Sequence, residues 1–149
     1  MKHPTWLVLL VIWPIVARAQ GAIIETLDAL RDAASPPEFR GTLPSQLDLS
    51  GTLPPPRSQA NTLSCVSWAA TYGAGSQAAR RVGLAGGVVL SPSYTYNQLA
   101  RDQYCRTTTS ILATLGLLRE SGAVPIKDFA FDAGWCGRQP TALCDRSTC

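Results

Sequence analysis

A stretch without proline, residues 66–80, directly follows Ser64-Cys65 and most limits what this chain can fold into. Serine is a favoured helix N-cap, so the stretch predicts a helix whose first turn contains Cys65. Its many small residues are typical of a central helix that other segments approach closely. At a helix start, the backbone N–H groups and the helix dipole favour a negative sulfur. Cys65 is therefore a candidate nucleophile.

Gln59 lies six residues before Cys65. Its side-chain amide would be able to turn back towards the sulfur and donate a hydrogen bond to an oxyanion. The opposing interpretation of Cys65 is a buried structural cysteine on an apolar helix, which is the commoner role of a single cysteine. By itself, Cys65 does not outweigh this interpretation.

Gln59, Ser64, Cys65 and the pair Trp68-Ala69 resemble the pattern of the papain-like cysteine peptidases, in particular the bacterial secreted branch. The resemblance continues in the right order and covers about residues 43–132. It implies an α+β, papain-like fold, of which this chain has the mainly helical left lobe and lacks most of the β-barrel right lobe. Three further segments carry it: residues 43–51 (the start of the mature domain), 90–94 (a helix start) and 111–122 (a later helix).

Gln59 at the family spacing and the three further segments in order favour the nucleophile. The resemblance thus implies a site as well as a fold. Cys65 would attack the carbonyl of a peptide or protein substrate, and Gln59 would stabilise the oxyanion. Thr107 and Thr108 stand where the family has glycines that border the substrate backbone. The resemblance also implies a disulfide between Cys105 and Cys136, and no metal or other cofactor.

The largest departure from the family is a missing base. The family's catalytic His and Asn lie about 130–150 residues beyond the cysteine. Here 84 residues follow Cys65, and the single histidine is His3. We therefore expect a truncated fragment that lacks the His/Asn half and is inactive alone. Two alternatives stay open: a non-catalytic binding or regulatory module, and a truncated gene product without a function of its own.

Residues 1–19 have the features of a secretory signal peptide: a basic start, an apolar run and the cleavage pattern Ala17-Arg18-Ala19. The apolar run contains Pro14 and is short for a membrane span. We expect a secreted or periplasmic protein. The alternative is an uncleaved signal that anchors the chain, and only in that case would the protein contact a membrane. Without the signal, 11 basic side chains face 10 acidic ones, so nucleic acid is not an expected partner.

Residues 20–42 are predicted to form a leader helix and linker, and residues 43–149 the incomplete N-terminal lobe. The leader is either the remnant of an inhibitory propeptide or a helix that packs on the domain or stays mobile. Its apolar stripe consists of Ile23, Ile24, Leu27 and Leu30.

Two further helices are predicted in the lobe. Ser91-Pro92 is an N-cap followed by proline at the first helical position, and this predicts a helix to about Tyr104. Residues 107–110 offer caps for the next helix, which Gly122 would stop. Residues 129–132 would be a short extended piece. The predicted buried stripe of the last helix is Ile111, Leu112, Leu115 and Leu118.

Five cysteines leave one without a partner in a secreted chain. With Cys65 set aside, the other four allow three pairings, so residue counting alone leaves the bridges open. A zinc site is disfavoured because the chain has no C-x-x-C pair and no histidine beyond the predicted signal.

Overall fold

The structure is a computed structural model and describes residues 22–32, 38, 40–84 and 87–140. The predicted signal peptide, Cys144 and Cys149 lie outside these residues. In the described part every regular element is helical, and β pairing is limited to two isolated bridges, Ile23 with Ser110 and Leu90 with Pro125. The described residues are therefore mainly helical, as expected for the lobe. They contain no strand, so the β part of the predicted α+β class is not found among them.

In chain order the elements are α1 (Leu27–Arg31), a 3₁₀ turn (Ser50–Thr52), α2 (Cys65–Ser67), the π-helix π1 (Trp68–Gly75), α3 (Ser76–Arg81), α4 (Pro92–Ala100) and α5 (Ile111–Ser121). Three of them, α2, π1 and α3, run on without a break, and we call them together the central helix. Both α4 and α5 pack against it and against each other.

The central helix confirms the helix predicted over residues 66–80, including its start at Cys65. Its middle portion has π geometry, which differs from the α-helix predicted there. Gly75 shows why small residues occur here. A Cβ at this position would lie 3.2 Å from both the Ala70 carbonyl oxygen and Leu90 Cδ1, so glycine allows Leu90 to approach the helix.

Much of the packing between the helices involves small polar side chains. Thr71 of the central helix and Thr95 of α4 are fully buried, and their hydroxyl oxygens are 2.7 Å apart. Thr114 is the buried residue of α5. Two small apolar clusters complete the core: Tyr94 with Val124 and Phe129, and Tyr96 with Cys105 and Cys136.

Helix α4 begins as predicted and ends earlier than predicted. The Ser91 hydroxyl accepts a hydrogen bond from the Tyr94 N–H at 3.3 Å, and Pro92 is the first helical residue. The helix ends at Ala100 rather than near Tyr104, because Arg101 adopts a left-handed conformation with φ 48°. The following loop folds back onto the Asp102 carboxylate.

Helix α5 has its predicted ends, while the predicted buried stripe is wrong for two of its four residues. Ser110 caps the start, and Gly122 follows the end with φ 69°. Ile111 and Leu115 are 47% and 45% exposed, whereas Leu112 and Leu118 are half-buried, because the helix meets its neighbours through the face that carries Thr114 and Leu118. The apolar stripe predicted for the leader is also exposed. Residues 129–132 follow a turn, in which the Phe129 N–H bonds to the Pro125 carbonyl, and are not part of a strand.

Candidate catalytic cysteine site

Cys65 is the first residue of α2 and is half-buried. Its sulfur is a thiol and is not part of a disulfide. Ser64 occupies the N-cap position, yet its side chain does not cap the helix. Instead the Ser64 hydroxyl is fully buried, 2.6 Å from the hydroxyl of Thr62. The predicted capping by Ser64 is therefore wrong, although the predicted position of Cys65 is confirmed.

Gln59 and Thr62 close the loop before Cys65 through two reciprocal hydrogen bonds. Gln59 Nε2 donates to the Thr62 carbonyl at 2.8 Å, and Thr62 Oγ1 donates to the Gln59 carbonyl at 2.8 Å. Between them Ala60 has φ 53°, a backbone conformation that is costly for a residue other than glycine. A primary amide has two N–H donors, and the bond to Thr62 uses one of them.

The disulfide between Cys105 and Cys136 is present, with the two Cα atoms 5.3 Å apart. It is connected to the candidate nucleophile through the backbone. The Leu63 N–H donates a hydrogen bond to the Cys105 carbonyl at 3.0 Å, and the Cys136 N–H donates to the Gln103 carbonyl at 3.0 Å. The loop that precedes Cys65 is therefore attached to the disulfide that closes the later part of the chain.

Tyr96 is a member of this site that the sequence analysis missed. It is fully buried, and its hydroxyl donates to the Thr107 carbonyl at 2.7 Å. Burial raises the pKa of Tyr96 to about 12, with smaller contributions from the negative charges of Asp102 and of a Cys65 thiolate. Tyr96 also packs against Cys105, whose carbonyl binds the loop before Cys65. No spacing in the sequence distinguishes Tyr96 from other buried aromatic residues of α4.

Thr107 and Thr108 lie in the loop that Asp102 organises. The Asp102 carboxylate accepts hydrogen bonds from the N–H groups of Tyr104 (2.9 Å) and Arg106 (2.5 Å) and from the Thr107 hydroxyl (3.2 Å). These bonds lower the pKa of Asp102, and the bond from the Tyr104 N–H has the largest effect. The Thr107 hydroxyl is therefore directed to Asp102, and Thr108 is half-buried.

The described residues contain no group of three or more His, Cys, Asp or Glu side chains arranged to hold a metal ion. Nor does this part of the chain include a helix with the length and apolar character that crossing a membrane requires.

Comparison with known proteins does not assign the chain to a family. No protein-family model matches it, and no match was found among curated proteins or among solved structures.

Proposed function

We propose that this chain is the nucleophile-bearing, helical part of a papain-like cysteine peptidase. The observation that carries the proposal is the position of Cys65. It is a thiol at the first residue of the central helix, and it follows a loop that Gln59 and Thr62 hold closed. This arrangement combines a helix start, which favours a thiolate, with an amide that would be able to stabilise an oxyanion.

In the proposed reaction the Cys65 thiolate attacks a peptide carbonyl carbon and forms a C–S bond. The carbonyl oxygen becomes an oxyanion, which the Gln59 side chain and the Cys65 backbone N–H would stabilise. The C–N bond then breaks, and the leaving amine takes a proton from an imidazolium. Water finally hydrolyses the thioester and regenerates the thiolate.

The imidazole is the component that these 149 residues do not supply. His3 is the only histidine and lies in the predicted signal peptide. The proposal therefore assigns the base to polypeptide outside these residues, and the chain alone is expected not to hydrolyse peptides. General acid–base catalysis typically contributes about 10²–10⁴-fold, so its loss is severe.

A non-catalytic binding or regulatory module is the second candidate. The observation that favours it is the bond from Gln59 Nε2 to the Thr62 carbonyl, because this bond directs one N–H of the amide into its own loop. In such a module Gln59 would stabilise the loop and have no role towards a substrate.

A peptide aldehyde distinguishes the two candidates. An aldehyde adds reversibly to a thiolate without a leaving group, so the missing imidazole is not needed to expel an amine. For the peptidase, a thiohemiacetal forms on Cys65 in the oxidised protein, and Gln59→Ala weakens it by roughly 10²-fold, the scale of a lost oxyanion donor. Cys65→Ser is the control that abolishes the adduct. An adduct equally stable in Gln59→Ala would refute the catalytic role of Gln59 and favour the module.

A further inference from the structure

Helix α4 borders a cavity whose lining does not include Cys65. The cavity has a volume of about 340 Å³ and separates one face of the helix from the segment at residues 129–138. Ligand pockets in proteins typically measure about 300–1,000 Å³, so this cavity has the size for a small molecule. The residues that matter for its chemistry are Ser93, Asn97, Phe129, Asp132, Trp135 and Arg138.

Two residues that line this cavity each carry a buried polar side-chain atom with no hydrogen-bond partner among the described residues. Ser93 and Asn97 are four residues apart on α4 and therefore lie on the same face. Each is only 2% exposed, yet Ser93 Oγ and Asn97 Oδ1 are unpaired. A buried polar atom without a partner costs free energy, so two of them on one cavity wall point to a ligand that provides the partners.

The orientation of the Asn97 amide is fixed by its neighbours. Its Nδ2 donates to the Arg138 main-chain carbonyl at 2.8 Å, while the Gln139 side-chain amide donates to the Asn97 main-chain carbonyl at 3.0 Å and leaves Oδ1 untouched. Exchanging the nitrogen and oxygen of the amide would place two acceptors against each other at Arg138. Asn97 Oδ1 is therefore an acceptor that requires an N–H or O–H donor.

The cavity also contains one charge of each sign. Asp132 is held by hydrogen bonds to its Oδ1 from the N–H groups of Gly134 (2.8 Å) and Trp135 (3.2 Å). The Arg138 guanidinium lies 4.5 Å from the centre of the Phe129 ring. Neither charge belongs to an ion pair within the described part of the chain.

We propose that this cavity binds a free amino acid or a similar small zwitterion. Its ammonium group donates to Ser93 Oγ, Asn97 Oδ1 and the Asp132 carboxylate, and its carboxylate binds Arg138. An ammonium group has three N–H donors, one for each of these three groups. The aromatic rings of Phe129 and Trp135 provide the apolar surface for a side chain. The opposite charges of Asp132 and Arg138 match a zwitterion and leave no net charge.

The cavity wall is held in place without the ligand. The Cys105–Cys136 disulfide and the bond from the Cys136 N–H to the Gln103 carbonyl fix the segment that carries Asp132 and Arg138. The site is therefore expected to be formed in advance, which reduces the entropy cost of binding. This inference does not depend on the chemistry of Cys65.

Isothermal titration calorimetry of the full chain with L-phenylalanine tests the proposal. We expect saturable binding with a Kd of about 1 mM or tighter. N-acetyl-L-phenylalanine, which lacks the ammonium, and L-phenylalanine amide, which lacks the carboxylate, should each bind at least about ten-fold more weakly. D-glucose, a neutral polyol, tests whether the cavity instead binds an uncharged ligand. No saturable heat with L-phenylalanine up to about 10 mM, or equal binding of an analogue or glucose, overturns the zwitterion site.

Two variants link the binding to the named residues. Ser93→Ala removes only a hydroxyl that has no partner, so the variant should fold normally and lose about ten-fold in affinity. Arg138→Gln changes an exposed side chain and should also lose about ten-fold. Arg57→Gln is the matched control, since Arg57 is an exposed cation that does not line this cavity. Unchanged affinity in both Ser93→Ala and Arg138→Gln overturns the assignment.

Discussion

The backbone N–H of Leu63 donates a hydrogen bond to the Cys105 carbonyl oxygen at 3.0 Å. This bond connects the loop before Cys65 to a residue that follows it by 40 positions. Because Cys105 is itself bonded to Cys136, the loop before the thiol is connected to the disulfide.

The first prediction is that loss of the disulfide both destabilises the fold and disturbs Cys65. The two cysteines are 31 residues apart, and closing a loop of that length contributes about 3–4 kcal/mol in the chain-entropy model. The double variant Cys105→Ser/Cys136→Ser should lower the free energy of unfolding by about this amount. Denaturant titration measures the loss.

The same double variant should also change the rate at which iodoacetamide alkylates Cys65 under native conditions. The matched control is the wild-type chain in denaturant, where the loop has no structure. An alkylation rate equal to that of the oxidised wild type would contradict the coupling through Leu63.

The second prediction concerns Tyr96, whose pKa burial raises to about 12, with further contributions from Asp102 and a Cys65 thiolate. An unfolded tyrosine has a pKa of about 10. The raised pKa means that Tyr96 contributes its full stability below about pH 10 and loses it as the pH rises through about 12. Tyrosinate absorbance should therefore show a late transition that is absent in Tyr96→Phe.

The causes of the raised Tyr96 pKa can be separated by substitution. Asp102→Asn and Cys65→Ser each remove a negative charge near Tyr96, so each should lower its pKa, the first by more than the second. If the pKa of Tyr96 is the same in Cys65→Ser as in the wild type, the thiol lies too far from Tyr96 to interact with it.

The third prediction concerns Glu25, which attaches the leader to the start of α5. Its Oε1 accepts hydrogen bonds from the Ser110 hydroxyl and from the Leu112 N–H (3.0 Å). Both bonds lower the pKa of Glu25, and the bond from Ser110 lowers it more than the bond from Leu112. Because this pKa is lowered, the attachment is present above the unfolded value of about 4.3 and is lost as the pH falls through the folded pKa.

Glu25→Gln should therefore accelerate hydrogen exchange of the Leu112 amide at neutral pH by several-fold. Glu38→Gln is the control, because Glu38 is an exposed acid whose ion pair with Arg40 is on the surface. If both variants exchange at the wild-type rate, Glu25 does not hold α5.

Local signals in the sequence predicted the helix starts well. Ser91-Pro92 and Ser110 are caps whose chemistry acts within one turn, so neighbouring residues suffice to identify them. The start of the central helix at Cys65 was also predicted, although for the wrong reason, since the Ser64 hydroxyl bonds to Thr62 instead of capping.

Features that depend on distant contacts were not predictable in this way. The apolar residues of α5 indicated a buried stripe, but the helix packs through Thr114, and only the positions of its neighbours determine that choice. Tyr96 belongs to the candidate site because the loop after Asp102 folds over it, a contact that no short motif encodes.

The fourth prediction compares two buried threonines, Thr62 beside the candidate nucleophile and Thr71 in the central helix. A hydroxyl has one hydrogen to donate. Thr62 Oγ1 donates it to the Gln59 carbonyl, so the 2.6 Å contact with Ser64 requires the Ser64 hydroxyl to donate to Thr62. Thr62→Val therefore leaves a buried donor on Ser64 and a carbonyl on Gln59 without this partner.

By the same reasoning Thr95 donates its hydrogen to the Pro92 carbonyl at 3.2 Å, so Thr71 is the donor in the Thr71–Thr95 pair. Thr71→Val thus leaves only an acceptor lone pair on Thr95. Unpaired buried groups cost about 1–3 kcal/mol each, so Thr62→Val should destabilise by about 2–3 kcal/mol and Thr71→Val by about 1 kcal/mol. Only Thr62→Val should also change the alkylation rate of Cys65, since Thr62 and Gln59 hold the loop before it. Equal losses of stability with no change in Cys65 reactivity would mean that this hydrogen-bonded loop does not position the thiol.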